Sequence, residues 1–301
     1  MSVGSGHGHG HAGARHRWRL SISFALVAAF FVVELATALA SGSLTLLSDA
    51  GHMAADVVAL GAALLATRIA TRPDRTGRRT YGSYRAEVFA SGLAVLLMLG
   101  VAAYVVIEAV RRLGTGPEIT PWPLLIIGSL GLVVNLAALF LLRGGAAESL
   151  NVRGAYLEVL ADAAGSVGVL VAAGLMATTG DGIWDTVIAL IIGAFVVVRA
   201  VGLGRQVFAV LAQHVPAGMR ADDVAAALAS TEGVHDVHDL HLWTLTSGMN
   251  VATAHLVTVD GADAHDVLDR ARDLLRDQHG VAHATLQVEP RSHTGCHEVG
   301  W

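Results

Sequence analysis

Asp49, His52 and Asp56 fall at i, i+3 and i+7 within a run that is otherwise almost wholly apolar. On a helix, residues three and four apart lie one above another on the same face, so these side chains form a polar column. Further along, Glu158 and Asp162 make an i, i+4 pair in surroundings just as apolar. If the two segments are helices that face each other, His52, Asp56, Glu158 and Asp162 converge as one imidazole nitrogen and three carboxylates. That donor set can cage a divalent cation, and Zn²⁺ favours tetrahedral N/O ligation. The alternative is that these groups only hydrogen-bond between helices. Against it stands the cost of burying carboxylates with no cation, about 2.5–3.5 kcal/mol for each charge at bilayer depth. His52 adds weight, being the only histidine between residues 17 and 213 in a chain that has 15. Asp49, near the outer end of its segment, reads either as an exit-path residue or as a group reaching the interface. Glu34 and Asn135 read as interhelical hydrogen-bond partners rather than ligands.

The same residues point to an energy source. Metal ligands must be deprotonated, so metal release and reprotonation are linked. His52, whose side chain ordinarily titrates near ~6.5, is suited to take up a proton as metal leaves, and a carboxylate can do the same. Exchange of a cytoplasmic metal ion for an outside proton is the expected reaction.

The elements that hold these groups are legible in the composition. Of 301 residues, 53% are hydrophobic and 15% charged, against ~25% charged in a typical soluble domain. That excludes intrinsic disorder and a collagen-like fibre, and Cys296, the only cysteine, excludes an internal disulfide framework. Apolar stretches at about 20–40, 44–67, 87–110, 121–142, 154–177 and 183–204 each approach the ~20 residues that span a bilayer as a helix. A signal peptide does not suit the first, which follows a polar, His-rich stretch. The N-terminal tail, the 68–85 and 143–153 connections and the end of the sixth span together hold 13 Arg; the opposite connections hold Arg111 and Arg112. The positive-inside rule then puts both termini in the cytoplasm.

Residues 1–205 hold 15 Arg against 12 Asp and Glu, and residues 206–301 hold 5 Arg against 13. A shift of that size marks a domain boundary. The expected organisation is a His-rich tail at 1–19, a six-helix transmembrane transport domain at 20–206 and a cytoplasmic metal-binding and dimerisation domain at 207–301. Short amphipathic and alternating segments in the last part read as α-β-β-α-β, a small α+β sheet with helices on one face. The fold class is therefore an all-α transmembrane domain followed by a small α+β, ferredoxin-like or metallochaperone-like domain, able to pair with a second copy.

Four stretches carry a resemblance to a known family: Ser43–Ala59 (SLTLLSDAGHMAADVVA), Tyr81–Glu87 (YGSYRAE), Asn151–Leu170 (NVRGAYLEVLADAAGSVGVL) and Val237–Ser247 (VHDLHLWTLTS). In these, and over nearly its whole length, the chain resembles the cation diffusion facilitators, specifically the cobalt–zinc–cadmium resistance type of zinc exporter. The resemblance implies a homodimer in the lipid bilayer that exports divalent metal by proton antiport and alternating access. It implies Zn²⁺ as transported substrate and as bound regulatory ion, with no organic cofactor and no nucleic acid partner. His52 and Asp56 match the family's second-helix ligands, and Asp162 matches one on the fifth helix. Glu158 departs from the family, which usually has His there; the extra carboxylate makes the site harder and shifts preference among Cd²⁺, Co²⁺, Mn²⁺ and Fe²⁺.

The resemblance also places regulatory ligands at His238, His255, His283 and Glu289, while His241 reads as part of the packing of the HLW segment. His293, Cys296 and His297 offer soft ligands that either complete a site across a dimer or belong to an incidental tail. Thr71–Thr80 is poor in ligands, so no loop site is expected there. The stretch His7–His16 reads as a flexible metal collector or as a plain solvated tail. An intramembrane metalloenzyme lacks any HExxH motif in the spans, and a membrane-anchored metal sensor leaves His52 and its three carboxylates without a task. The expected localisation is a bacterial plasma membrane.

Overall fold

Long runs of Leu, Val, Ala and Ile fold into six helices: α1 (His11–Ser41), α2 (Leu44–Ala70), α3 (Ala86–Arg112), α4 (Pro121–Ala146), α5 (Leu150–Thr179) and α6 (Ile183–Leu211). The structure, a computed structural model, describes residues 11–70, 80–112, 119–146, 150–246 and 248–291; for 11–20, 59–70, 145–146 and 150–155 it describes the backbone alone. Among the described residues five helices are long and apolar enough to cross a bilayer: Ser21–Ser41, Ala86–Arg112, Pro121–Gly144, Tyr156–Thr179 and Ile183–Leu211. α2 is the sixth long helix and carries Asp49, His52 and Asp56 within its apolar run. Its 27 residues make a rod about 40 Å long, ample for a bilayer. α1 reaches back to His11, into the stretch read above as a flexible tail. The helix-favouring residues Ala12, Ala14 and Arg15 lie there, while the glycines concentrate before it.

The chain divides into two compact units: one runs to Gly61 and includes Ser91–Leu203, the other joins Ala62–Ala90 to the chain from Gly204 onward. In the first unit, Phe30 of α1, Leu46 and Met53 of α2, Leu124 and Leu142 of α4 and Val169 of α5 share one buried cluster. Lipid offers no hydrophobic drive for this contact, so close van der Waals packing holds it, helped by Ala138, Ala172 and Ala173 at the seam. Leu39, Trp122 and Val198 point outward, 70%, 68% and 71% exposed, as lipid-facing side chains must. Gly42, at φ +68°, turns the chain between α1 and α2 in a conformation that favours glycine.

Asp185, in the first turn of α6, is fully buried and ties two helices together. Its carboxylate accepts from Leu44 N (2.8 Å), from Thr45 N (3.1 Å) and from the Ser43 hydroxyl, while Thr45 Oγ1 donates to the Asp185 carbonyl at 2.7 Å. The orphan amides at the start of α2 are thus met by a carboxylate, which also suits the positive end of that helix.

The second unit holds α7 (Ala221–Ala229), β1 (Val234–Thr246), β2 (Met249–Thr258), α8 (Ala264–His279) and β3 (His283–Pro290), the α-β-β-α-β order read from the sequence. β2 is central, antiparallel to β1 and parallel to β3, so α8 forms the crossover between parallel neighbours. Val224 and Leu228 of α7 and Val267, Ala271 and Leu275 of α8 pack on Ala252, Ala254 and Leu256. Those are alternate residues of β2, so both helices cover one face and His255 stands on the other. Asp263 caps α8, accepting from His265 N at 2.8 Å and Asp266 N at 3.3 Å; these amides hold its carboxyl below the usual range. In this unit Thr246 Oγ1 also donates to Glu87 at 2.8 Å.

Candidate metal centre

In the first unit α2 and α5 bring together His52, Asp56 and Asp162, three of the four groups foreseen as a cage. His52 Nε2 lies 3.6 Å from Asp56 Oδ2 and 3.4 Å from Asp162 Oδ1, and one donor atom from each of the three residues falls within 4.8 Å of the others. His52 and Asp162 are each 3% exposed. Among the described residues, His52 Nδ1, Asp56 Oδ2 and Asp162 Oδ1 are buried with no hydrogen-bond partner. Buried polar atoms normally find partners, and a cation among these three would satisfy the carboxylate oxygens together. One imidazole and two carboxylates suit a borderline divalent metal.

Close approach of α2 and α5 depends on Gly165, one turn beyond Asp162. A Cβ there would collide with the Asp49 carboxylate. Asp49 is buried, and its carboxyl group is hydrogen-bonded to that of Glu34 on α1. Asn135 Nδ2 donates to Ser166 Oγ at 3.4 Å, linking α4 to α5. Glu34 and Asn135 thus join neighbouring helices.

Glu158 does not lie in the cluster. Its carboxylate is paired with Arg199 of α6, and the same guanidinium touches His52 Nε2. Sequence reasoning missed Arg199, counting it only among the cationic groups at a helix end. The signal available was a single arginine inside the apolar run 191–203. Val196 and Ala200, which flank it, pack with Ala55 of α2 and Met98 of α3, and this aims α6 at the site.

In the second unit His238, Glu289 and His255 form another cluster on the sheet face opposite α7 and α8. His238 and His255 are cross-strand partners with ring centroids 5.1 Å apart. His255 Nδ1 lies 2.9 Å from Glu289 Oε1, and His238 Nε2 lies 3.9 Å from Glu289 Oε2. Asp239, also missed, joins them: the register of β1 shifts between His238 and His241, and Asp239 takes φ +52° in that bulge. The bulge turns Asp239 Oδ2 to 3.7 Å from His255 Nε2 and Oδ1 to 2.9 Å from His241 Nε2. His241 is therefore not packed as read above but exposed and paired with Asp239, because the bulge changes the face it occupies. His283 sits at the far end of β3, opposite Val251, edge-on to Tyr81. The tail residues His293, Cys296 and His297, offered above as possible ligands, the stretch His7–Gly10 and the loop 71–79 lie outside the described residues.

Residues 20–212 match the family model of the cation efflux transmembrane domain, and residues 216–291 match that of the cation efflux protein cytoplasmic domain. The chain is 39% identical over 271 residues to the metal cation efflux system protein CzcD of Cupriavidus metallidurans, covering 90% of this chain and 85% of that one. It is 31% identical to the cadmium, cobalt and zinc/H(+)-K(+) antiporter of Bacillus subtilis, covering 91% of this chain and 89% of the relative. It is 32% identical to the zinc transporter ZitB of Escherichia coli K12, covering 92% and 90%.

Proposed function

Since the chain belongs to the cation efflux family, we propose that it exports divalent metal cations from the cytoplasm by proton antiport, with Zn²⁺ as main substrate. The observation that carries this reading is the buried set His52, Asp56 and Asp162, whose donor atoms converge between long apolar helices. His52 and the two aspartates bind the ion from the cytoplasm, with Glu158 as fourth ligand, and take up protons from outside as it leaves. No covalent bond is made or broken, so the protein works as a transporter and not as an enzyme. Cd²⁺ and Co²⁺ are the first alternatives, since a relative is named for cadmium, cobalt and zinc. The carboxylate at 158 keeps Mn²⁺ and Fe²⁺ in the comparison.

The working unit is a homodimer in the plasma membrane with both termini cytoplasmic. Residues 1–19 form the tail, 20–206 the transport domain and 207–301 the metal-binding domain that pairs the copies. There His238, His255 and Glu289 hold a regulatory ion, joined by Asp239. His283, His293, Cys296 and His297 add ligands where the two copies meet.

Flux into sealed proteoliposomes tests the reading, with Zn²⁺, Cd²⁺, Co²⁺, Mn²⁺ and Fe²⁺ compared with and without a pH gradient. Wild type is expected to carry Zn²⁺ in a gradient-dependent way, and His52→Ala to lose at least ~90% of that flux, the usual consequence of removing a first ligand from a metal site. No flux of any metal sinks the proposal. Flux indifferent to the gradient removes the proton coupling.

A further inference from the structure

Arg199 carries a step beyond the transport reading on which it rests. Its Nη1 meets His52 Nε2 and its Nη2 is paired with Glu158 Oε2. A guanidinium stays protonated and only donates, so His52 Nε2 must meet it with the lone pair of the ring. A metal ion needs that same lone pair, and it needs a Glu158 oxygen if Glu158 is to be a ligand. Arginine and metal therefore compete for two of the four candidate ligands. They compete at the centre of the site, because Asp56 and Asp162 both lie within 3.6 Å of the contested nitrogen.

Charge supports the same assignment. Ionised Asp56, Glu158 and Asp162 bring three negative charges, and Arg199 leaves two, which one divalent cation cancels. A net charge left in an apolar helix bundle is costly. Glu158 and Arg199 together are neutral, as a neutral His at position 158 would be. The arginine thus compensates the added carboxylate, and the site keeps the charge balance of one imidazole and two aspartates.

We propose that Arg199 is a tethered counter-cation of the transport site. It holds His52 and Glu158 in the absence of metal, yields both to an arriving divalent cation, and by returning speeds release. Arg199 is a positioning and specificity-determining residue, acting on the ion through the ligands it occupies.

The test uses the full chain carrying His238→Ala and His255→Ala, which silences the cytoplasmic cluster, and Zn²⁺ still bound after a further His52→Ala is subtracted as the background of the remaining ligands. Zn²⁺ affinity is read in detergent by competition with a chromophoric chelator, and turnover in proteoliposomes. Arg199→Met is expected to raise Zn²⁺ affinity about tenfold and to lower turnover, the ligands having been freed but release slowed. Arg199→Lys, which keeps the charge, is expected to bind close to the parent chain. Glu158→His leaves the guanidinium without its carboxylate and is expected to weaken binding; adding Arg199→Met to it should recover the loss. A folded Arg199→Met chain that binds Zn²⁺ no more tightly than the parent overturns the proposal. If that variant does not fold, failure of the second substitution to recover binding in the Glu158→His chain overturns it instead. Loss of binding in His52→Ala with no effect at Arg199 rejects the counter-cation alone, whereas binding indifferent to His52→Ala rejects the transport site itself.

Discussion

At the scale of single residues, the membrane site is a contest between desolvation and ligation. Placing Asp56 and Asp162 beside His52 in an apolar surrounding is unfavourable unless a cation or a proton compensates. Their orphaned oxygens fit that need. Gly165 sets the separation of the helices that carry them, because a methyl group there would strike the Asp49 carboxylate. Gly165→Ala is expected to cut Zn²⁺ flux by about tenfold or more, since displacement of a ligand by ~1 Å is enough for losses of that order. Gly174 on the same helix faces open space, so Gly174→Ala should transport normally. Equal flux from both variants would remove Gly165 from the account.

Elements, rather than residues, decide how the site is held. Ser43 accepts from Leu46 N at 3.1 Å, capping the start of α2 in the usual serine manner. The larger share of that start is borne by Asp185, which belongs to α6 and lies more than a hundred residues away in sequence. Arg112 at the end of α3 stands 3.8 Å from the same carboxylate. One buried group thus fastens the ends of three helices, α2 with its ligands and α6 with Arg199 among them. Asp185→Ala strands two amides and a hydroxyl in a buried place and is expected to cost about 3 kcal/mol, at ~1–3 kcal/mol for each unsatisfied buried group. Unfolding in mixed detergent micelles measures this. A loss under ~0.5 kcal/mol, the range of an ordinary surface substitution, would show that the knot contributes little.

For the molecule as a whole, the charge asymmetry matters most. The stretch 206–301 carries 13 acidic residues against 5 Arg, so two copies of the cytoplasmic domain repel when they face each other. Metal held at His238, His255 and Glu289 lowers that repulsion and is expected to draw the two copies together. Spin labels at the exposed Ala229, introduced as Ala229→Cys in a Cys296→Ser chain, report the distance between copies. Zn²⁺ should shorten and narrow the distribution, and His238→Ala with His255→Ala should abolish the change. A distribution indifferent to saturating Zn²⁺ would separate this cluster from any control of domain approach.

Hydropathy alone determined the six long helices, and the 3.6-residue period determined that Asp49, His52 and Asp56 share a face, because both depend on nearest neighbours along the chain. Alternation in the last hundred residues likewise gave the α-β-β-α-β order. Tertiary structure alone decided which carboxylates meet His52. Glu158 is four residues from Asp162 and equally acidic, yet α6 brings Arg199 against it, and an ion pair with a distant helix leaves no trace in local spacing. The same holds for Asp239, which a one-residue bulge in β1 turns toward His255. Periodicity assumes regular backbone, so a break in register and a partner from a remote helix are the two things that it does not carry.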